Sequence, residues 1–246
     1  MPSRESEAIV LRTYPMSEGD RLVSFLSRDD GRLRGVARGA RRPKSRFGAS
    51  LEPLSYIRIW FYERETRQLV RISQCELIES FVDAQRSYNA SVAFALLAEI
   101  AEGVLPEREP SDPAFRLLLA TCRAMGEGGS IALPVSYFAI WMLRLGGWLP
   151  SLDRCAGCRR DVAGQEAWAA EDGSGIFCRQ CRHAQARPLS ADALATARSM
   201  LRVSLEGLAG KDGMHVPPSL TNYLLDLIER HMEKRSTVRP MLEMEP

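Results

Sequence analysis

The chain is poor in the residues from which most catalytic sites are built. Three histidines occur in 246 residues, His183, His215 and His231, and none has a Ser, Cys or carboxylate at a spacing that suggests a triad or an acid–base pair. There is no Gly-x-x-x-x-Gly-Lys-Ser/Thr loop and no Gly-x-Gly-x-x-Gly turn after a strand, so nucleotide hydrolysis and dinucleotide binding have no sequence support. The carboxylate pairs Asp29/Asp30 and Glu63/Glu65 fall in turns, where turn formation and charge balance account for them. A non-enzymatic function is expected. Apolar runs are short, and none approaches the ~20 residues of a membrane span. The start, Met1 to Glu7, has neither the basic head nor the apolar core of a secretory signal. The expected compartment is the cytoplasm, where six cysteines are read for metal or redox chemistry rather than for disulfides. Repeats and low-complexity runs are absent.

A run of positive charge is what the sequence does contain. From Gly31 to Phe47 the chain carries Arg32, Arg34, Arg38, Arg41, Arg42, Lys44 and Arg46 without one Asp or Glu. Like charges repel and add nothing to a core, so such a stretch calls for a negative partner, a solvated surface, or both. The net charge is only +2, so the basic excess of the first eighty or so residues is balanced by a remainder near neutrality. With 45% hydrophobic and 26% charged residues the composition is that of a globular protein.

Residues 1–80 read as β structure. Ala8 to Thr13 alternate, and Arg21 to Leu26 follow a turn at Ser17-Glu18-Gly19-Asp20; Asp30-Gly31 marks a hairpin into a return strand over Arg32 to Arg38. Pro43, Ser45 and Gly48 make the rest of the basic stretch a loop. Ile57, Ile59 and Phe61 face one way on a longer strand and Tyr56, Arg58, Trp60 and Tyr62 the other, before a turn at Glu63 to Arg67 and a strand over Gln68 to Ser73. Short strands at this spacing suggest a small closed sheet. From Phe81 the period becomes helical, giving a domain over 81–246. Its expected helices start near Tyr88, at Asp112 as cap with Pro113 in the first turn, over Val135 to Leu145, from Ser190 as cap through Leu208, and over Pro218 to Lys234, with a frayed tail beyond Arg235.

Within that second half, Cys155-Ala-Gly-Cys158 and Cys178-Arg-Gln-Cys181 form two knuckles separated by the nineteen residues 159–177. Two tight turns facing each other complete a tetrahedron of thiolates around one zinc ion, a structural site with no open position for water or substrate. Trp168 to Glu171, the Asp172-Gly173 turn and Ile176-Phe177 supply the hairpin of a zinc ribbon at about 150–185. Redox dithiols or chance pairs are the alternatives. Cys75 and Cys122 sit in apolar patterns as buried, inert thiols.

Lys and Arg follow phosphates while aromatic rings stack on bases, so the basic loop beside Tyr56, Trp60 and Tyr62 is a candidate surface for single-stranded nucleic acid. Burial of those rings on both faces of their strand is the competing expectation.

These residues together resemble the bacterial recombination mediator family RecO. The likeness runs in order through Glu7-Ala8-Ile9-Val10-Leu11, Ser17 to Leu22, Asp30 to Leu33, Ala37 to Ser45 and Leu51-Glu52-Pro53-Leu54; Gly146-Gly147-Trp148-Leu149-Pro150 leads into the cysteines. The resemblance implies an α+β, multidomain chain: an N-terminal OB-fold barrel, then a helical domain with an embedded four-cysteine zinc ribbon. It also implies a cytoplasmic, nucleoid-associated mediator that binds single- and double-stranded DNA and anneals complementary strands. With RecR, such a protein helps load RecA onto DNA covered by single-strand-binding protein, and RecF is a further partner of the family. Arg38, Arg41, Arg42 and Lys44 match the family's basic DNA-binding motif. Near Phe138, where a basic residue would be sought for the tail of single-strand-binding protein, the chain has Ser136 and Tyr137, so no residues are assigned to that contact. A zinc-ribbon factor in transcription or RNA processing, and a nuclease or nucleotidyl transferase, are the other classes considered.

Overall fold

Alternating apolar residues build five strands: β1 (Ser3–Pro15), β2 (Arg21–Ser27), β3 (Gly31–Ala37), β4 (Tyr56–Tyr62) and β5 (Val70–Glu79). The structure is a computed structural model that describes residues 3–63, 68–210 and 214–242; the turn expected at Glu63 to Arg67 lies, from 64 on, outside them. The strands close a barrel in the order β1-β2-β3-β5-β4, with long β1 paired to both β2 and β4. Every ladder is antiparallel except the seam between β3 and β5, where Gly35, Val36 and Ala37 face Val70, Arg71 and Ile72 in parallel. Inside lie Val23, Phe25, Leu33, Ile57, Ile59, Phe61 and Ile72, with the Phe25 and Phe61 rings edge to face at 6.0 Å. Each such buried side chain contributes roughly 1.5–3 kcal/mol.

Two glycines are required by this geometry. Gly31 ends the β2–β3 turn at φ +72°, and a Cβ there would fall 2.3 Å from the carbonyl oxygen of Glu109. Gly35 lies at the seam, where a Cβ would come within 2.8 Å of both Ile72 Cγ1 and Val70 Cγ2.

By spatial contact the chain divides into two units, Met1–Glu127 and Gly128–Pro246. The first therefore includes α1 (Tyr88–Val104) and α2 (Asp112–Gly126) as well as the barrel. α1 packs on β1, whose residues Ala8 to Leu11 are buried on both faces as a result. α2 sets Phe115 against Tyr56 at 6.1 Å, and Arg123 pairs with Glu79. Ser111, rather than Asp112, caps α2, its hydroxyl accepting the Ala114 N–H.

In the second unit, α3 (Ala132–Leu145), buried nearly all round, packs on α6 (Pro218–His231), with Ser136 and Thr221 sharing a buried hydrogen bond of 2.8 Å. The helix expected from Ser190 to Leu208 is two: α4 (Ala191–Met200) and α5 (Leu205–Ala209), because Ser204 starts a new turn by accepting the Gly207 N–H. Between α3 and α4 lies a three-stranded sheet in the order β7 (Ile176–Phe177), β6 (Ala167–Ala169), β8 (Arg187–Leu189). The tail is less frayed than its sequence suggests. Arg239 binds Asp226 and Glu229 on α6 and holds the chain through Leu242. No helix among the described residues is long and apolar enough to cross a membrane.

Closure of the barrel depends on the bare backbone at Gly35. Gly35→Ala should lower stability by about 1–3 kcal/mol through overpacking against Val70 and Ile72, measured as a fall in the urea midpoint; an unchanged midpoint would mean that the seam is slack.

Candidate nucleic-acid interface and metal centre

Between β3 and β4 the basic stretch does not hang free. It runs as overlapping turns, with Arg42 N–H donating to Gly39 O at 3.1 Å, Ser45 to Arg42 at 3.0 Å and Ser50 to Phe47 at 3.0 Å. Both ends are fixed. At the first, the Asp20 carboxylate accepts the Gly39 N–H at 2.9 Å, Arg41 N–H donates to Gly19 O, and the Arg41 guanidinium donates to Ser17 O at 2.8 Å. At the second, Phe47 and Leu51 are 1% exposed and belong to the barrel core.

Held this way, Arg38, Arg41, Arg42, Lys44 and Arg46 are all exposed, and among the described residues none is paired with a carboxylate. Arg46 lies over the Phe47 ring at 5.1 Å. Arg32 and Arg34 are placed differently. Residues 105–109 run alongside β3, so Arg32 donates to Leu105 O at 2.9 Å and pairs with Glu107, which Arg34 also meets at 3.0 Å. Charge spacing alone shows neither Glu107, far away in sequence, nor the anchoring role of Asp20.

The expected stacking face is divided. Tyr56 is 8% exposed beneath Phe115, Trp60 donates its indole N–H to Glu5 at 3.0 Å, Arg58 reaches the same carboxylate at 3.6 Å, and Tyr62 is half-buried. Burial claims the first ring, and an acidic neighbour occupies the second.

In the other unit the four knuckle cysteines converge. The sulfurs of Cys155, Cys158, Cys178 and Cys181 all lie within 4.8 Å of one another, with Cys158 and Cys178 3.8 Å apart. Four sulfurs about 2.3 Å from a central ion stand about 3.8 Å apart, so the cluster fits a tetrahedral thiolate site for zinc. Its frame is a pair of turns: Arg159 N–H donates to Cys155 O, Cys181 N–H to Cys178 O, and Cys178 N–H to the Cys155 sulfur at 3.3 Å. Although burial opposes it, the N–H groups of Cys178, Cys158 and Gly157 bring the Cys155 thiol down to about 6. Cys181 is pushed up to about 12 by the Cys158 and Cys178 sulfurs beside it, followed by burial. Four thiolates so close need a cation between them. The β6–β7 pair forms the expected hairpin, and His183 stays exposed on the edge of Phe177. Burial pushes Cys75 up to about 12 and raises Cys122 as well, which keeps both thiols protonated.

A family model described as recombination protein O N terminal matches residues 1–81, and one described as recombination protein O C terminal matches residues 85–240. The chain is 36% identical over 241 residues to the DNA repair protein RecO of Koribacter versatilis, covering 98% of each protein. To the proteins of that name in Frankia casuarinae and Symbiobacterium thermophilum it is 31% identical over 246 residues and 30% over 240, covering 99% of both chains in the first case and 93% and 94% in the second.

Purified protein should carry one zinc per chain, lost in Cys178→Ser. Zinc affinity should weaken as pH falls, because protons compete for the thiolates, at Cys181 throughout the neutral range and at Cys155 below about 6. Elemental analysis across a pH series checks both, and zinc-free protein of equal stability would remove the assignment. Asp20→Ala should cost about 1 kcal/mol of loop anchoring and weaken nucleic-acid binding while the thermal midpoint moves little. Equal affinity in that variant would show that the loop needs no anchor.

Proposed function

The chain belongs to the recombination protein O (RecO) family, whose role is in DNA repair and recombination, and from that premise we propose that it is a non-enzymatic mediator that binds single- and double-stranded DNA and anneals complementary strands. The observation that carries this reading is the basic loop, a row of exposed cations with no carboxylate partner among the described residues, fixed at both ends on a closed barrel. Such a surface neutralises phosphates in any sequence.

The barrel is an OB-fold in this reading, a designation supported by its five strands and the order β1-β2-β3-β5-β4. The functional boundary falls near residue 80, with a DNA-binding domain before it and a helical domain over 81–246 after it; the family matches, which stop at 81 and resume at 85, support that division. Arg38, Arg41, Arg42, Lys44 and Arg46 meet phosphates directly. Arg32 and Arg34, engaged by Glu107, contribute charge to the rim of the surface. Zinc binds as a structural ion at the four cysteines of a zinc ribbon, holding the two knuckles and leaving no position for substrate. With RecR the protein helps RecA load onto strands coated by single-strand-binding protein, and RecF is a further partner. Its workplace is the nucleoid in the cytoplasm.

If three to five loop charges meet a single strand, log K against log salt should have a slope of roughly −2 to −3.5. The double variant Arg41→Glu/Arg42→Glu should flatten that slope and lower affinity in anisotropy titrations with labelled oligonucleotides. Binding and salt dependence equal to the parent protein would exclude the loop as the site.

A further inference from the structure

The knuckles that bring the cysteines together also display arginines that zinc binding leaves unused. Arg154, Arg159, Arg160, Arg179 and Arg182 are all exposed, and among the described residues none is paired with a carboxylate. Other arginines of the same unit are: Arg187 and Arg239 bind Asp226, and Arg198 binds Asp153. Of the nearby acids, Asp161 accepts the Ala163 N–H and Asp172 the Ser174 N–H.

Their positions are set by the metal centre. Arg159 sits at φ +62° and donates its N–H to Cys155 O, while Arg160 O accepts the Cys155 N–H at 2.9 Å. Arg179 lies inside the second knuckle, and Arg182, next to Cys181, places its guanidinium 4.9 Å from the centre of the Trp168 ring. The knuckles touch: a Cβ on Gly157 would be 3.2 Å from Cys181 Cβ. The two arginine-bearing turns are therefore adjacent.

We propose that this arginine collar is a second DNA-binding surface that grips the phosphates of another strand while the barrel loop holds the first. It rests on the reading of the loop as a DNA site. Trp168, under Arg182, is 7% exposed and closed to base stacking, and the arginine contacts go to phosphates and carry no base preference. The metal centre is then the frame of a binding surface as well as a staple of the fold. A protein that brings two strands together needs two cationic footholds, and the collar supplies the second.

The test uses full-length, zinc-loaded protein in four forms: the parent, Arg41→Glu/Arg42→Glu, Arg159→Glu/Arg179→Glu, and Arg159→Lys/Arg179→Lys. Each is bound to an immobilised dT oligonucleotide, and capture of a second, labelled, non-complementary strand is measured across a salt series. The glutamate collar variant should bind the first strand within about twofold of the parent and lose about tenfold or more in second-strand capture; the lysine variant should restore capture. Zinc content equal to the parent verifies that the frame is intact, and the lysine pair reads the same surface if the glutamates disturb it. Second-strand capture equal to the parent in the glutamate variant overturns the collar. Unchanged first-strand binding in the loop variant would instead overturn the loop reading, and the collar comparison stands apart from it.

Discussion

Electrostatic repulsion is the constraint to which the first unit is built. Five cations within residues 38–46 push one another apart and gain nothing from the core, so the chain must be held from outside the run. Asp20 does this at one end with a charge-assisted hydrogen bond to a backbone N–H, a contact that neutralises no guanidinium. Phe47 does it at the other by entering the barrel, where burying an aromatic ring far outweighs any single surface ion pair. The charges are thereby displayed and left unneutralised, which is the state a phosphate backbone can use.

The same division of labour explains the contrast along the run. Arg32 and Arg34 lie on a strand whose open side is bordered by residues 105–109, and Glu107 takes up both. Beyond Ala37 the chain leaves the sheet, and among the described residues no carboxylate pairs with the remaining cations, which stay exposed. In the second unit, two tight turns beside a short three-stranded sheet converge on four sulfurs at spacings that suit one zinc ion.

Much of this was legible in the sequence wherever a short-range pattern decides structure. Alternation around Ile57, Ile59 and Phe61 indicated β4, the Asp30-Gly31 pair the hairpin, and Cys-x-x-Cys spacing the cluster, because each reflects a period or a local turn. Features set by distant residues were not legible. Whether Tyr56 faces solvent depends on Phe115 in α2, the freedom of Arg32 on Glu107, and the order of the tail on Arg239 meeting α6. The break between α4 and α5 turned on the local preference of Ser204 to cap, which a stripe of leucines conceals. Charge spacing located the candidate site; which of its charges are free was decided by partners far away in the chain.

In the proposed function, an exposed basic surface held at both ends brings complementary DNA strands together. That role is tested most directly by the rate at which two complementary oligonucleotides anneal, measured with bare strands and with strands coated by single-strand-binding protein. Zinc-loaded protein should accelerate annealing in both cases, and reversing Arg41 and Arg42 should abolish the acceleration. No acceleration of either kind by folded, metal-loaded protein would contradict it.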